Sequence, residues 1–314
     1  MLASGSRGNA TVVSGGRTRI LVDCGLSCRE LFRRMKQADE EPETLDAILI
    51  THEHSDHVGG LAVTARKLNI PVYFTEGTHR AWMRWLSPRR QMSYKQWLEQ
   101  MRKQAAERQA EADDAAQEGE QDESDLALDS TAESEELAVP APAKDPTWLP
   151  AVEFFTAGEP FEIGDINVSP FTTSHDAADP VGFVFGVEGV RMGFATDLGY
   201  ISPNVKAQLQ DLDLLLLESN HDLEMLKDGP YPWAVKQRVL SRVGHLSNEA
   251  AAAFLEDGYD GQAAYVILAH LSESNNLPEL ARVAAERALN GRIRLLANML
   301  LLAAQNEPLS SLYF

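Results

Sequence analysis

The run Asp46–Thr51 (DAILIT) carries the chain directly into His52, His54, Asp56 and His57. An apolar run this short and unbroken reads as a strand buried on both faces, which a layered fold accommodates. If the backbone leaves that strand still extended, side chains alternate with a period of two, so His52, His54 and Asp56 point the same way. The segment from His57 to Leu68 reads as the start of a helix, which turns His57 back towards the same space. Three of the eight histidines thus fall within six residues, beside a carboxylate. That density decides against an incidental polar loop. Imidazole nitrogen and carboxylate oxygen, with no thiolate, suit zinc, manganese or iron.

The charge of the chain is unevenly spread. Of a formal net charge of −19, residues 99–145 contribute −11 (15 acidic against 4 basic side chains), which leaves −8 for the rest. This stretch has no aromatic residue and few branched apolar ones, so it cannot bury enough surface to offset its ordering entropy. Residues 90–148 therefore read as an acidic low-complexity insertion in a single domain spanning 1–314. It is expected to be largely disordered, with a solvated helix near 94–116. No run of eighteen apolar residues occurs, so no membrane span is expected. The first residues, MLASGSRGN, lack the pattern of a signal peptide. Cys24 and Cys28 make neither a zinc knuckle nor a disulfide framework, and reduced thiols in a cytoplasmic protein are expected. Met1-Leu2-Ala3 leaves little room for a first strand, so the expectation is a truncated strand or a true start a few residues upstream.

The rest of the chain repeats one grammar, in which a buried strand ends in polar groups. Thr11–Ser14 and Ile20–Asp23 read as paired strands joined at Gly15-Gly16. Ser27–Gln37 reads as a helix with Arg29, Arg33, Arg34 and Lys36 on its polar face. Ile166–Thr172, Val181–Val187 and Val190–Ala195 read as strands, the last two joined by a turn at Glu188-Gly189. Leu212–Glu218 and Ala264–Ala269 are further buried strands. Ser247–Glu256 and Leu277–Leu289 read as helices, the first with a Ser-x-Glu start. The strand ends carry Asp23, then His175-Asp176, Asp197, Glu218-Ser219-Asn220-His221-Asp222, and His270. Antiparallel pairing followed by strand–helix alternation, once in each half, predicts an α/β fold with two sheets back to back and helices outside.

These blocks resemble the metallo-β-lactamase fold hydrolases. His52-x-His54-x-Asp56-His57 looks like that family's signature, and His175, Asp197 and His270 follow in its order. Within the family the chain is similar to the YycJ/WalJ-like branch, proteins described as DNA exonucleases. The marks are Ser4-Gly5-Ser6-x-Gly8-Asn9, THEHSDHVGGL, SHDAADPVGF, TDLGY, ESNHD, GPYPW, GHLSNE and HLSESNN. The match covers nearly the whole chain outside 90–148, and the acidic insertion departs from it. The resemblance implies an αββα four-layer sandwich of two mixed sheets flanked by helices, with two divalent ions, Zn²⁺ or Mn²⁺, at the edge of the sheets. His52, His54 and His175 would hold one ion, Asp56, His57 and His270 the second, and Asp197 would bridge them. Asp23 would hydrogen-bond a ligand histidine and fix its tautomer.

Two ions about 3.5–4 Å apart share a hydroxide and lower its pKa towards neutrality, which makes it the expected nucleophile. Asp56 and Asp197 belong to this catalytic group. His245 is the candidate general acid, because it lies outside the ligand set and its ordinary pKa is about 6.5. It also resembles the helix-start histidine that tRNA-processing relatives use as proton donor. Ser247 and Asn248 open a helix whose free N–H groups favour a phosphate, and Ser272 and Asn275 are read the same way. Ser6 and Asn9 are further substrate-contact candidates. His221 has two readings, a substrate or ligand contact and a satisfied structural histidine. His79 is read as structural or exposed. The basic residues of 17–36 and 236–242 suit a phosphate backbone or a solvated helix face, and Trp82, Trp85 and Trp233 suit base stacking or core packing.

The leading expectation is a dinuclear phosphodiesterase trimming DNA from a 5′ end, with nucleic acid as partner, DNA ahead of RNA, and no membrane or obligate protein partner. The 5′ polarity comes from the resemblance alone. The rivals are an RNA nuclease of the tRNA 3′-processing kind, a small-molecule phosphodiesterase, and a silent binding or regulatory protein on the same fold.

Overall fold

The computed structural model describes residues 1–87, 145–289 and 299–314. The chain divides into two compact units, Met1–Leu86 with Pro146–Phe314, and Ser87–Asp145. The expected insertion at 90–148, with its helix at 94–116, lies outside the described residues except for its last four. The first unit holds two β-sheets.

Its first sheet has five strands in the order β1 to β5: β1 (Thr11–Ser14), β2 (Arg19–Val22), β3 (Ala47–Leu49), β4 (Pro71–Phe74) and β5 (Ala151–Phe154). The β1–β2 pair is antiparallel and the remaining pairs are parallel. The second sheet has seven strands: β6 (Phe161–Ile163), β7 (Ile166–Thr172), β8 (Val181–Val187), β9 (Val190–Ala195), β10 (Leu214–Glu218), β11 (Tyr265–Ala269) and β12 (Met299–Leu302). They lie side by side in chain order, antiparallel from β6 to β9 and parallel from β9 to β12. Both sheets are therefore mixed.

The helices are α1 (Cys28–Gln37), α2 (Ser55–Val58), α3 (Leu61–Leu68), α4 (Glu76–Leu86), α5 (Pro203–Gln208), α6 (Leu223–Asp228), α7 (Trp233–Val239), α8 (Asn248–Asp257) and α9 (Pro278–Leu289). Three cores show how they stack. Ala47 and Leu49 of β3 face Phe183 of β8 and Leu214 and Leu216 of β10 across the middle of the molecule. Ile48, pointing the other way, packs with Leu31, Leu61, Ala65 and Trp82 of the helices on the first sheet's outer side. Leu215 and Leu217 do the same for β10, against Val205, Phe254, Leu255 and Ala281. A period of two in strands buried on both faces thus forces four layers, αββα. No described helix is long and apolar enough to cross a membrane.

Several expectations change in detail. The helix expected from His57 starts at Ser55 and breaks at Gly59-Gly60 before α3, so Asp56 sits on a helical turn and not in the extended run. The reason is local: Gly25 packs against the backbone of Asp56, and Gly60 against that of Leu26, so closely that a Cβ at either would collide. Arg34 is not on the polar face of α1. It is buried, and Nη1 donates to the carbonyls of Leu2 and Gln305. Strands β4, β5, β6 and β12 and helices α4 to α7 are not among the elements expected from the sequence. Pro71 opens β4, as its missing N–H requires, and β5 and β12 are the outer strands of their sheets. At the N-terminus, the segment before β1 makes a single antiparallel bridge, Ala3 to Ala10, with Leu2 and Ala3 buried.

Candidate metal centre

The ligand-type residues leave the two sheets at one edge. From the first sheet, the loop after β3 delivers His52 and His54 in extended backbone and Asp56 and His57 on α2. From the second, His175 follows β7, Asp197 follows β9, Glu218 ends β10 and His270 follows β11. Three strand exits are turned sharply. Asp23, Asp197 and His270 have φ of 59°, 57° and 56°, the left-handed region. For residues other than glycine this costs about 1–3 kcal/mol each, which the surrounding packing must hold in place.

The groups that lie within ligand distance of one another are His52, His54 and His175; His52, His57 and Asp197; Asp56, His57 and His270; and Asp197, Glu218, His245 and His270. Asp197 stands between the sets, with Oδ2 3.4 Å from His57 Nε2 and Oδ1 3.3 Å from His270 Nδ1. Its Oδ1 is also 3.9 Å from His175 Nε2.

Each imidazole is held at one nitrogen by a protein group, which turns the other towards the neighbouring ligand-type residues. His57 Nδ1 pairs with Asp23 Oδ2 at 2.8 Å, and Asp23 Oδ1 accepts from the Thr51 amide. His175 Nδ1 donates to the Gly244 carbonyl at 3.0 Å, and His54 Nε2 to the Asp176 carbonyl at 3.2 Å. His52 Nδ1 meets Thr51 Oγ1 at 3.0 Å. The ring nitrogens left over include His52 Nε2 and His270 Nε2. These two, with Asp197 Oδ2, are buried without a hydrogen-bond partner among the described residues. Buried polar atoms are normally satisfied, so converging unpartnered nitrogen and oxygen atoms fit divalent cations.

The electrostatics agree with that fit. Burial and the neighbouring imidazoles of His57, His175 and His54 push His52 well down. Burial also opposes the charge on His57, but Asp23, Asp197 and Asp56 outweigh it and hold His57 well above the ordinary range. His270 is likewise raised against burial, chiefly by Asp197. Burial works against the Asp56 charge, yet His57 and His270 keep its carboxyl far below the carboxylate range. A compact set of carboxylates that forces protons onto buried imidazoles is a set that positive ions would stabilise.

Glu218 is a site residue that sequence reasoning does not single out. It is fully buried, and its four contacts explain why it is there. Oε2 accepts from the amides of Leu198 and Leu246, while Oε1 accepts from Nδ1 of both His245 (2.8 Å) and His270 (3.0 Å). With both oxygens committed, Glu218 is an organiser more than a ligand. The signal that could have found it is a buried strand ending in an acid. Ser4 Oγ, equally silent in the sequence, accepts from the His270 amide.

The remaining candidates divide. His245 lies between the two triads, its ring centroid 5.0 Å from that of His175 and 5.2 Å from that of His270. Burial lowers His245, and the Glu218 carboxylate more than offsets this, so its pKa lies above the ordinary value. Asn9 is buried against the ligands, its amide 3.2 Å from Asp56 Oδ2 and 3.0 Å from His57 Nε2. Ser247 Oγ caps α8 by accepting from Ala250 N. Asn248 is turned inward, where Ser219 and Asn276 share its side chain. Ser272 Oγ accepts from Asn275 N. Ser6 is exposed. Among the described residues, neither ring nitrogen of the buried His221 has a hydrogen-bond partner, nor has Asn275 Oδ1. Burial pushes His221 down to about 4, so it is neutral near pH 7. His79 packs among Phe74, Trp82 and Phe154. Trp82 is core, whereas Trp85 and Trp233 are exposed.

With this fold and this site, the sequence profile of the Metallo-beta-lactamase superfamily matches residues 3–235, and the chain belongs to that superfamily of hydrolases. Among curated proteins it is similar to "Exodeoxyribonuclease YycJ" of Bacillus anthracis, 34% identical over 289 residues, or 92% of this chain and 88% of the relative. It is also similar to "Exodeoxyribonuclease WalJ" of Streptococcus pneumoniae serotype 2, 32% identical over 283 residues, 90% and 84% of the two chains. Among solved structures, the metallo-beta-lactamase fold protein YhfI from Bacillus subtilis superposes with a TM-score of 0.58 over 97% of this chain and 95% of that one, at 15% identity. That last likeness concerns the fold.

Proposed function

We propose that the chain is a dinuclear metal-dependent phosphodiesterase that trims DNA as an exonuclease from the 5′ end. One observation carries the reading. A histidine outside both ligand triads, His245, lies between them and is hydrogen-bonded through Nδ1 to the buried Glu218. A binding protein on this fold has no need of that arrangement, and a hydrolase that must protonate a leaving oxygen does. The names of the Bacillus anthracis and Streptococcus pneumoniae relatives support DNA as the substrate, and the 5′ polarity follows the sequence resemblance.

In this reading His52, His54 and His175 hold one ion, Asp56, His57 and His270 the other, and Asp197 both. When bound, the ions supply the Lewis acidity that makes water a nucleophile near neutral pH and balances charge on the phosphoryl oxygens. The protein's own work is orientation and proton supply. Asp23 fixes the His57 tautomer and Asn9 steadies Asp56. Glu218 favours the charged form of His245, the form in which Nε2 carries a proton for the leaving oxygen. Ser6, exposed on the loop ahead of β1, offers a polar contact to the nucleotide.

The test is a time course of digestion of 5′-phosphorylated duplex DNA with Mn²⁺ or Zn²⁺, beside Asp56→Ala. Progressive mononucleotide release by the wild type alone is the expected result. Absence of release from a protein shown to hold metal overturns the DNA reading, and the same assay on RNA and small diesters then separates the remaining ones.

A further inference from the structure

We propose that Arg7 and Arg238 grip substrate phosphates on opposite sides of the metal centre, so that the site is built for an extended phosphodiester chain lying across both ligand triads. The proposal rests on the phosphodiesterase reading and deepens it.

Arg7 sits on the loop ahead of β1, beside the Asp56–His57–His270 triad. Its amide donates to Gln305 Oε1 at 2.8 Å, and Gly5 N donates to Asn9 Oδ1. The same Asn9 touches Asp56 and His57 through Nδ2. The Arg7 guanidinium pairs with Glu273, three residues past His270. Arg238 sits on α7, beside the His52–His54–His175 triad. Its guanidinium pairs with Asp176, the residue after His175, and the Asp176 carbonyl accepts from His54. The chain leaving α7 then supplies the Gly244 carbonyl that orients His175. The hydrogen bond to Asp176 foremost, and the charge of Asp56 after it, hold the Arg238 guanidinium above its ordinary pKa.

Both arginines are exposed, with 62% and 59% of their side-chain surface open to solvent. Exposed ion pairs contribute little to stability, so a structural role accounts poorly for two of them at the mouth of the site. A guanidinium resting on an exposed carboxylate can exchange it for a phosphate in the same fork geometry. Other arginines are differently employed. Arg34 is buried under the N-terminal loop, Arg33 pairs with Glu30 on its own helix, and Arg242 lies over the Tyr200 ring. A single phosphodiester between the metals would not need residues on both flanks. A chain with phosphates on either side of the cleaved bond would.

The experiment compares wild type, Arg7→Ala, Arg238→Ala, Arg238→Lys, Glu273→Gln and, as control, Arg80→Ala, an exposed arginine paired with Glu76 on its own helix. Two quantities are read: binding of a fluorescein-labelled 5′-phosphorylated oligonucleotide across a KCl series, and kcat/KM for that oligonucleotide relative to bis(p-nitrophenyl) phosphate. Each arginine-to-alanine change is expected to weaken oligonucleotide binding about tenfold and to reduce the slope of log K against log salt by about one. The ratio of oligonucleotide to small-diester kcat/KM is expected to fall about tenfold. Arg238→Lys should keep the salt slope. Glu273→Gln, which frees Arg7 for a phosphate, should tighten binding, whereas breaking a purely structural pair would not. The proposal is overturned if both alanine variants bind within twofold of wild type, or if both lose equally on the two substrates. In that case oligonucleotide cleavage by the wild type leaves the nuclease reading standing. If the wild type cleaves the small diester but neither binds nor cleaves the oligonucleotide, the nucleic-acid reading falls together with the two arginines.

Discussion

The loop after β3 and the strand exits of the second sheet do the same job in opposite ways. In the first region four ligand-type residues fall between His52 and His57, so local backbone geometry alone brings them close. In the second, Asp197, Glu218 and His270 come from the exits of β9, β10 and β11 and are united by their parallel register, while His175 joins them from the end of β7 and His245 from the segment between α7 and α8. The compact loop is braced from outside, by Asp23 on His57 and by the close backbone approach at Gly25 and Gly60. The dispersed set is braced from inside, by one carboxylate, Glu218, that ties His245 and His270 together. A site built half from a motif and half from a sheet depends on two kinds of support, and they should fail differently.

Asp197 joins the two regions, and its loss should be the most damaging. Asp197→Ala is expected to lower activity by about a thousandfold or more and to reduce bound metal at both triads. His54→Ala should release metal from one triad alone. Metal analysis after dialysis against a weak chelator separates them, and equal losses would mean that the two triads are not independent.

Glu218→Gln comes next. A glutamine replaces one accepting oxygen with an NH2 that cannot accept, and it removes the charge that favours the His245 imidazolium, so kcat is expected to fall about a hundredfold. Because Glu218 raises the His245 pKa, its removal lowers it. The protonated form is then lost at lower pH, so the alkaline limb of the rate profile should move to lower pH. A loss of rate with an unmoved limb would make Glu218 merely structural.

Asp23→Asn tests the brace on the compact loop. Its expected cost is about 10–100-fold in metal affinity, recovered in rate at saturating metal, as isothermal titration and metal-dependent kinetics would read. A rate loss that metal does not restore would place Asp23 in the chemistry itself.

The smallest effect on the site should come from the shared core beneath it. Leu49 of β3 and Leu216 of β10 face each other between the sheets. Truncating either to alanine should cost about 2–5 kcal/mol of folding stability while leaving metal affinity nearly intact. Denaturant unfolding with and without metal checks this, and markedly unequal costs would show that the sheets do not share one core.

Much of the fold is legible in the sequence because it is periodic or local. The strands β7, β8 and β9 are read at their observed bounds, since an apolar run closed by a turn has few alternative meanings. Ser27 and Ser247 mark helix starts, and both cap them. Strands β4, β5, β6 and β12, each of three or four residues, are not among the elements read from the sequence. Asp56 shows the limit of extrapolating an extended backbone: the fold needs a helical turn where a period of two suggests a strand. Arg34 shows a second limit, since a helix's outer face is outer only until another segment covers it, here the segment around Gln305.

The sequence by itself determined the four layers and the kinds of atom that would gather at one edge. Alternating apolar residues have few ways to be buried twice, and buried strands must end where polar groups can begin. The tertiary structure alone decided which of those groups share a partner. Glu218 becomes the common acceptor of two histidines because β10 lies between β9 and β11. Asn248 turns inward because Ser219 and Asn276 meet it there. Arg7, on the loop ahead of β1, and Arg238, on α7, meet Glu273 and Asp176, carboxylates far from them in the chain. Such pairings depend on distances between strands that no local pattern encodes.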